Sequence, residues 1–258
     1  MNRRRFLALT GVAAASSLIT TSWGTPLEPS TQKIKAIAFD AFPIFNPAPV
    51  FALAEELFPG KGSALSDEWR TRQFEYAWLR MTAHRYADFW KVTQDALIFS
   101  ANKLKLDLAP DKREALMNAY LKLALWPEVP AALKELKALG LRLAFLSNFT
   151  QLMLTANIKS SGLETFFEHV LSTDRATTYK PDPRAYQLGV DVLGLKREEI
   201  LFAACAGWDA AGAKLFGYPT FWVNRLKLPT EELDAAADAS GPSLLDMVQF
   251  LKTNPGSA

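Results

Sequence analysis

The sequence predicts an α/β fold: a parallel sheet covered by helices on both faces, with an all-helical block inserted after the first strand. Three observations carry this. A short apolar run from Ile34 to Phe39 ends abruptly in Asp40, as a buried parallel strand does at its carboxyl end. From Val129 to Val223, strand-like and helix-like segments alternate in the manner of βαβ units. Residues 47–125, between these two parts, read only as helix. The simplest architecture is a Rossmann-like core at 33–46 and 126–252, with a helical cap at 47–125.

Residues 1–24 stand apart from this pattern. Arg3-Arg4-Arg5 leads into a weakly apolar run, Phe6 to Ile19, interrupted by Thr10, Gly11, Ser16 and Ser17. It is short and soft for a membrane span, which needs ~20 mainly apolar residues. It closes on Ser22-Trp23-Gly24, a small-x-small triplet suited to signal peptidase. Arg3-Arg4-Arg5-Phe6-Leu7 resembles a twin-arginine signal, with Asn2 where Ser or Thr is usual. The expectation is export of the folded chain to the periplasm, with no stable membrane anchor after cleavage; an uncleaved helical anchor is the alternative.

The cap should begin with an amphipathic helix, Val50 to Phe58, that stops at Pro59-Gly60. Ser66 suits the N-cap of a helix from Asp67 to His84, and Tyr86 to Lys103 and Pro110 to Leu125 continue the helical block. In the core, a helix from Val129 to Leu139 ends at Gly140, and Leu141 to Leu146 forms a strand. A helix near Leu152–Ser160, strand His169–Ser172 and helix Arg184–Leu193 follow. Strand Ile200–Ala204, helix Ala210–Phe216 and strand Thr220–Val223 complete the alternation, and residues 253–258 read as a frayed tail.

Composition narrows the function. With 49% hydrophobic and 22% charged residues, the chain of 258 residues can bury a substantial core. The balance of 29 Lys+Arg against 27 Asp+Glu leaves no basic stripe for nucleic acid. Loss of residues 1–24 would remove three arginines and no acid, changing the formal charge from +2 to −1. A single cysteine, Cys205, rules out an intramolecular disulfide and any multi-cysteine metal site. The two histidines, His84 and His169, have no metal-binding spacing and read as packing or surface residues.

In an open parallel sheet, ligands bind beyond the carboxyl ends of the strands. Four polar groups fall there: Asp40, Ser147 with Asn148, Lys180, and Asp209. Each alone has an ordinary explanation, as a helix cap or an exposed loop residue. Their convergence on one sheet edge points to chemistry. A carboxylate that attacks carbon needs stripping of water and a neighbouring cation, and Asp40 at a buried strand end near Lys180 meets that need.

These four positions resemble the motifs of the haloacid dehalogenase superfamily, and more narrowly the type II L-2-haloacid dehalogenases. The stretch Trp69 to Arg80 resembles that family's cap-helix signature, continued by Arg85-Tyr86-Ala87-Asp88-Phe89-Trp90. Ser147-Asn148-Phe149, Tyr179 to Tyr186 and Trp208 to Lys214 extend the resemblance through the core. It implies hydrolytic dehalogenation of short-chain L-2-haloacids to 2-hydroxy acids, with no cofactor and no metal. Asp40 would displace halide from the α-carbon, and a water activated with Asp209 and Lys180 would hydrolyse the ester. Ser147 and the Asn148 N–H would hold the substrate carboxylate, and Arg70 would receive the halide. Phe42, Phe89 and Trp208 would wall the pocket, Tyr186 would support the site, and the rest of the cap aromatics would be core packing. The sequence leaves the oligomeric state open, although members of the family it resembles commonly form homodimers through cap and core.

The sequence departs from the family pattern at three places. Pro43-Ile44 stands where the family usually has Gly-Thr, and Ala204-Cys205-Ala206 where it usually has Ser-x-Asn. Three side-chain hydrogen-bonding groups are therefore absent, which leaves open a catalytically degenerate member that binds a small carboxylate. A phosphatase of the superfamily would need a second aspartate two residues after the nucleophile, and Phe42 occupies that position. Cys205 has no histidine nearby in sequence and is expected to be an inert thiol.

Overall fold

The computed structural model describes residues 34–254. The signal segment at 1–24, the first residue of the expected core at 33, and the end of the expected tail lie outside the described residues.

The central sheet is parallel throughout. Its strands are β1 (Ala36–Phe39), β4 (Arg142–Ser147), β5 (His169–Ser172), β6 (Ile200–Ala204), β7 (Thr220–Val223) and β8 (Ala239–Gly241), in the order β5-β4-β1-β6-β7-β8. Helices α5 (Val129–Ala138), α6 (Gln151–Ser161), α7 (Pro183–Leu193), α8 (Gly207–Phe216) and α9 (Leu244–Thr253) cover it. The inner strands β4, β1, β6 and β7 are almost wholly buried, so they read as largely apolar runs, whereas the edge strands β5 and β8 are partly exposed. Ile37 and Phe39 join one hydrophobic cluster with Phe145 and Leu201, while Ala36 and Ala38 join the other with Leu146 and Phe202. β1 lies between β4 and β6, with Phe39 in register with Phe145 on one side and Ala203 on the other. The residue after Phe39, Asp40, thus stands at the middle of the sheet's carboxyl edge.

Four helices stand between β1 and α5: α1 (Ala48–Leu57), α2 (Gly62–Thr82), α3 (Phe89–Lys103) and α4 (Pro110–Ala119). The chain leaves for them and returns from them through a two-stranded antiparallel ribbon, β2 (Phe45–Asn46) with β3 (Ala124–Leu125). The Trp69 indole N–H donates to the Thr93 carbonyl at 2.7 Å and the Gln73 amide to the Thr93 hydroxyl at 2.6 Å, tying α2 to α3.

Several boundaries differ from the expectation. α2 begins at Gly62 rather than being capped by Ser66, which becomes a buried interior residue. The reason is close approach: a Cβ on Gly62 would stand 2.2 Å from the Glu55 backbone, so only glycine lets α2 start against α1. α3 begins at Phe89, capped by Asp88 accepting from the Lys91 N–H, rather than at Tyr86. α4 stops at Ala119 instead of running to Leu125, because the chain must extend to form the ribbon. Asn157 takes up the freed backbone there, accepting from Leu123 N–H and donating to the Tyr120 carbonyl, both at 2.7 Å. α8 starts three residues earlier than read, so Asp209 sits inside its first turn and does not cap it. The sequence reading also lacked β8, α9 and the ribbon. β2 and β3 have two residues each and β8 has three, too few to show a period.

Candidate active site

Asp40, Lys180 and Asp209 form a buried row. The Lys180 ammonium donates to Asp40 Oδ1 at 2.9 Å and to Asp209 Oδ2 at 2.6 Å, and its side chain is 1% exposed. The Phe202 ring lies 4.9 Å from the same nitrogen and presents its π face to the cation. Burial works against the charge on Lys180, but Asp209 and Asp40 outweigh it and hold the pKa above the ordinary lysine value. For Asp209 burial wins: although Lys180 pulls the other way, its carboxyl is pushed up to about 6. The Tyr186 hydroxyl donates to Asp209 Oδ1 at 2.7 Å, so both oxygens of this carboxylate are held.

Asp40 is held differently on its two sides. Oδ1 accepts from Lys180 and from the Ser147 hydroxyl, each at 2.9 Å. Oδ2 accepts from the Phe42 N–H at 3.2 Å, the one donor found for it among the described residues. Asn148 braces the opposite wall: its side-chain carbonyl accepts from the Lys180 backbone N–H at 3.0 Å and from the Thr173 hydroxyl at 3.2 Å. α8 reaches this cluster only because of Gly212, where a Cβ would stand 2.6 Å from Pro181 Cβ and 2.7 Å from the Tyr186 hydroxyl.

These groups open onto a cavity of about 510 Å³. Of the residues expected to carry the site, Asp40, Ser147, Asn148, Lys180 and Asp209 reach it from the sheet edge. Phe42, Arg70, Phe89 and Trp208 also line it. Arg70 comes from α2 and is exposed. Tyr186 differs: it is buried behind Asp209 among Phe202, Phe216 and Tyr218, does not line the cavity, and reaches the site only through its bond to Asp209. The cap aromatics are not all internal packing either, since Phe74 lines the cavity beside Phe89 and packs on Trp208.

Two further residues, unnoticed in the sequence, hold the loop that follows Asp40. The Trp126 indole N–H donates to the Phe42 carbonyl at 2.9 Å, and Arg225 Nη2 donates to the Pro43 carbonyl at 2.9 Å and to Glu128 at 2.7 Å. The Arg225 guanidinium also stacks on the Trp126 ring at 4.1 Å. Arg225 follows β7 at the same sheet edge as the other site residues, and that position was its one sequence signal.

The Cys205 thiol also lines the cavity, and burial pushes it up to about 12, which keeps it protonated and poorly nucleophilic. His84 is exposed beyond the end of α2, and His169 pairs with Glu168 at 3.2 Å. Among the described residues, no group of three His, Cys, Asp or Glu side chains is placed to hold a metal ion.

Residues 34–217 match the sequence profile of the haloacid dehalogenase-like hydrolases. The chain is 43% identical over 226 residues to an (S)-2-haloacid dehalogenase of Pseudomonas sp. (strain YL), covering 87% of this chain and 97% of that protein. It is 40% identical to haloacetate dehalogenase H-2 of Moraxella sp. (strain B), over 85% and 99% of the two chains. Its fold superposes on the L-2-haloacid dehalogenase of Xanthobacter autotrophicus with chloropropionic acid covalently bound. The TM-score is 0.79 at 33% identity, covering 85% of this chain and 98% of that one. With the Asp40–Lys180–Asp209 row at the carboxyl edge of its parallel sheet, the chain belongs to the haloacid dehalogenase-like hydrolase family, among the relatives of the (S)-2-haloacid dehalogenases.

Proposed function

We propose that the protein hydrolyses (S)-2-haloacids to 2-hydroxy acids through an ester on Asp40. The observation that carries this is Lys180 bridging Asp40 and Asp209 at the floor of a mainly apolar cavity. Asp40 Oδ2, the less encumbered oxygen, attacks the substrate's C2; a C–O bond forms, the C–halogen bond breaks, and halide leaves with the electron pair towards Arg70. Configuration at C2 inverts. Ser147 and the backbone N–H of Asn148 hold the substrate carboxylate. Oδ1 is then the carbonyl oxygen of the ester, already facing the Lys180 ammonium, which stabilises the oxyanion when water attacks Cγ; the single Ser147 hydroxyl proton, given to Oδ1 in the free site, turns to the substrate carboxylate. Asp209 takes the proton from that water and returns it to Oδ2 as the Cγ–Oδ2 bond breaks and the 2-hydroxy acid leaves with that oxygen, with Tyr186 fixing the orientation of Asp209. Phe42, Phe89 and Trp208 exclude bulk water. Phe42 also stands where a phosphatase-type second aspartate would be needed, and its ring packs edge-on against Phe149 at 5.2 Å.

The test is halide release from (S)-2-chloropropionate by the native protein and by Asp40→Asn; equal rates would refute the reading. A single turnover in ¹⁸O-labelled water distinguishes a binder from an enzyme, since label enters the Asp40 carboxylate only if an ester forms and is cleaved.

Residues 47–125 serve in this reading as a cap over a core built from 33–46 and 126–252, with a homodimer as the expected assembly. The finer expectation of twin-arginine export to the periplasm rests on Arg3-Arg4-Arg5-Phe6-Leu7 and Ser22-Trp23-Gly24. Amino-terminal sequencing of periplasmic protein tests it; an intact Met1 would overturn it.

A further inference from the structure

The cavity is much larger than the smallest substrates this chemistry accepts. It encloses about 510 Å³, whereas the six non-hydrogen atoms of 2-chloropropionate, at ~30 Å³ each, fill at most ~180 Å³. The lining as a whole is mostly apolar. Beyond the Asp40–Lys180–Asp209 floor the lining passes to Phe51, Trp126, Leu226 and Leu228. Leu226 and Leu228 are 67% and 53% exposed. Scattered surface leucines need no explanation, but two on the lining of one mainly apolar cavity give it an apolar face towards solvent.

The charged groups in this outer part disfavour a second anion. The Arg225 guanidinium is occupied by the Pro43 carbonyl and by Glu128, and so is not offered to a ligand. Glu231 also lines the cavity and lies against Gly207, its Oε1 2.9 Å from where a Cβ there would stand. Of the other cations on the lining, Lys180 is bound to Asp40 and Asp209 and Arg70 receives the halide in the dehalogenase reading, so a carboxylate at the far end of a substrate would meet Glu231.

We infer that this cavity is built for 2-haloacids carrying a long alkyl or aryl substituent, and that it discriminates against halogenated dicarboxylates. The inference rests on the dehalogenase reading for its chemistry, though not for its binding preference. Each methylene buried in such a site is worth a factor of about four.

The experiment compares halide release from (S)-2-bromooctanoate, (S)-2-bromopropionate and bromosuccinate by the full-length protein. In parallel, binding of octanoate and propionate is followed by tryptophan fluorescence, since Trp126 and Trp208 line the cavity. The expected result is kcat/KM at least tenfold higher for bromooctanoate than for bromopropionate, bromosuccinate slowest, and octanoate bound at least tenfold tighter than propionate. Leu228→Glu should lower the octanoate-to-propionate ratio, a ratio that a general loss of folded protein would not move. Equal or better handling of the three-carbon acids in both measurements overturns the inference, and so does bromosuccinate matching bromooctanoate. If no substrate releases halide but octanoate still binds tighter, the apolar subsite stands and the dehalogenase reading falls.

Discussion

The Tyr186 hydroxyl meets Asp209 Oδ1 at 2.7 Å from a side of the sheet that the cavity does not reach. This one bond connects the hydrophobic layer under α7 to the carboxylate that faces the substrate. With Lys180 on Oδ2, it leaves Asp209 little freedom to turn away from the ester it would hydrolyse.

The first prediction concerns pH. The Asp209 carboxyl is pushed up to about 6, chiefly by burial. As a general base it must be ionised, and the Asp40 charge that helps raise it is gone in the ester, so ester decay should fall about tenfold per pH unit below a midpoint lower than that value and level off above it. The Tyr186 hydrogen bond favours the ionised form. Tyr186→Phe should therefore move the midpoint to higher pH, as read by rapid-quench single turnovers across pH 4–9; an unmoved midpoint would show that Asp209 is not the titrating base.

Removing the cation should damage both fold and chemistry. Lys180→Met leaves Asp40 and Asp209 buried without their shared partner, and breaking a buried pair in this way costs ~3–5 kcal/mol. Denaturant unfolding should show that loss, and halide release should drop by ~10³-fold or more.

Gly212→Ala tests how tightly α8 is seated. The added methyl would press on Pro181 and on the Tyr186 hydroxyl, both under 3 Å away. Overpacking of this kind costs ~1–3 kcal/mol. The thermal midpoint should fall, and the pH profile should shift in the same direction as in Tyr186→Phe, because the displaced hydroxyl can no longer reach Asp209.

Arg70→Ala, unlike Lys180→Met, should leave stability almost unchanged. Arg70 is exposed at the cavity, so its truncation should change unfolding free energy by no more than ~0.5 kcal/mol. Halide release should nevertheless fall ~10²-fold if the guanidinium stabilises the departing halide, with the deficit greater for chloride than for bromide.

Arg225→Lys keeps a positive charge but loses the planar fork that grips the Pro43 carbonyl and Glu128 together. The loop after Asp40 should loosen and kcat fall ~10-fold, with KM little changed, because the Phe42 N–H that aligns Asp40 is carried by that loop.

Much of this was legible in the sequence. Asp40, Ser147, Lys180 and Asp209 each follow an apolar run or occupy a loop at the end of one, and a parallel sheet sends all such positions to one edge. Strands β6 and β7 could be read to the residue because burial on both faces leaves an almost unbroken apolar string. Short segments were not legible. The pairing of Phe45–Asn46 with Ala124–Leu125 joins residues far apart in the chain, and no local pattern announces such a contact.

By itself, then, the sequence determined the layered α/β architecture, the helical block after the first strand and the placing of Asp40 at a strand end, because these depend on local periodicity and on strand ends. The tertiary structure alone decided three other matters. Tyr186 works from behind Asp209 rather than against substrate, Trp126 and Arg225 grip the nucleophile loop, and Leu226 and Leu228 extend the cavity to solvent. Each is a relationship between side chains brought together by strand order and helix packing, and charge or hydropathy along a chain carries no record of such distances.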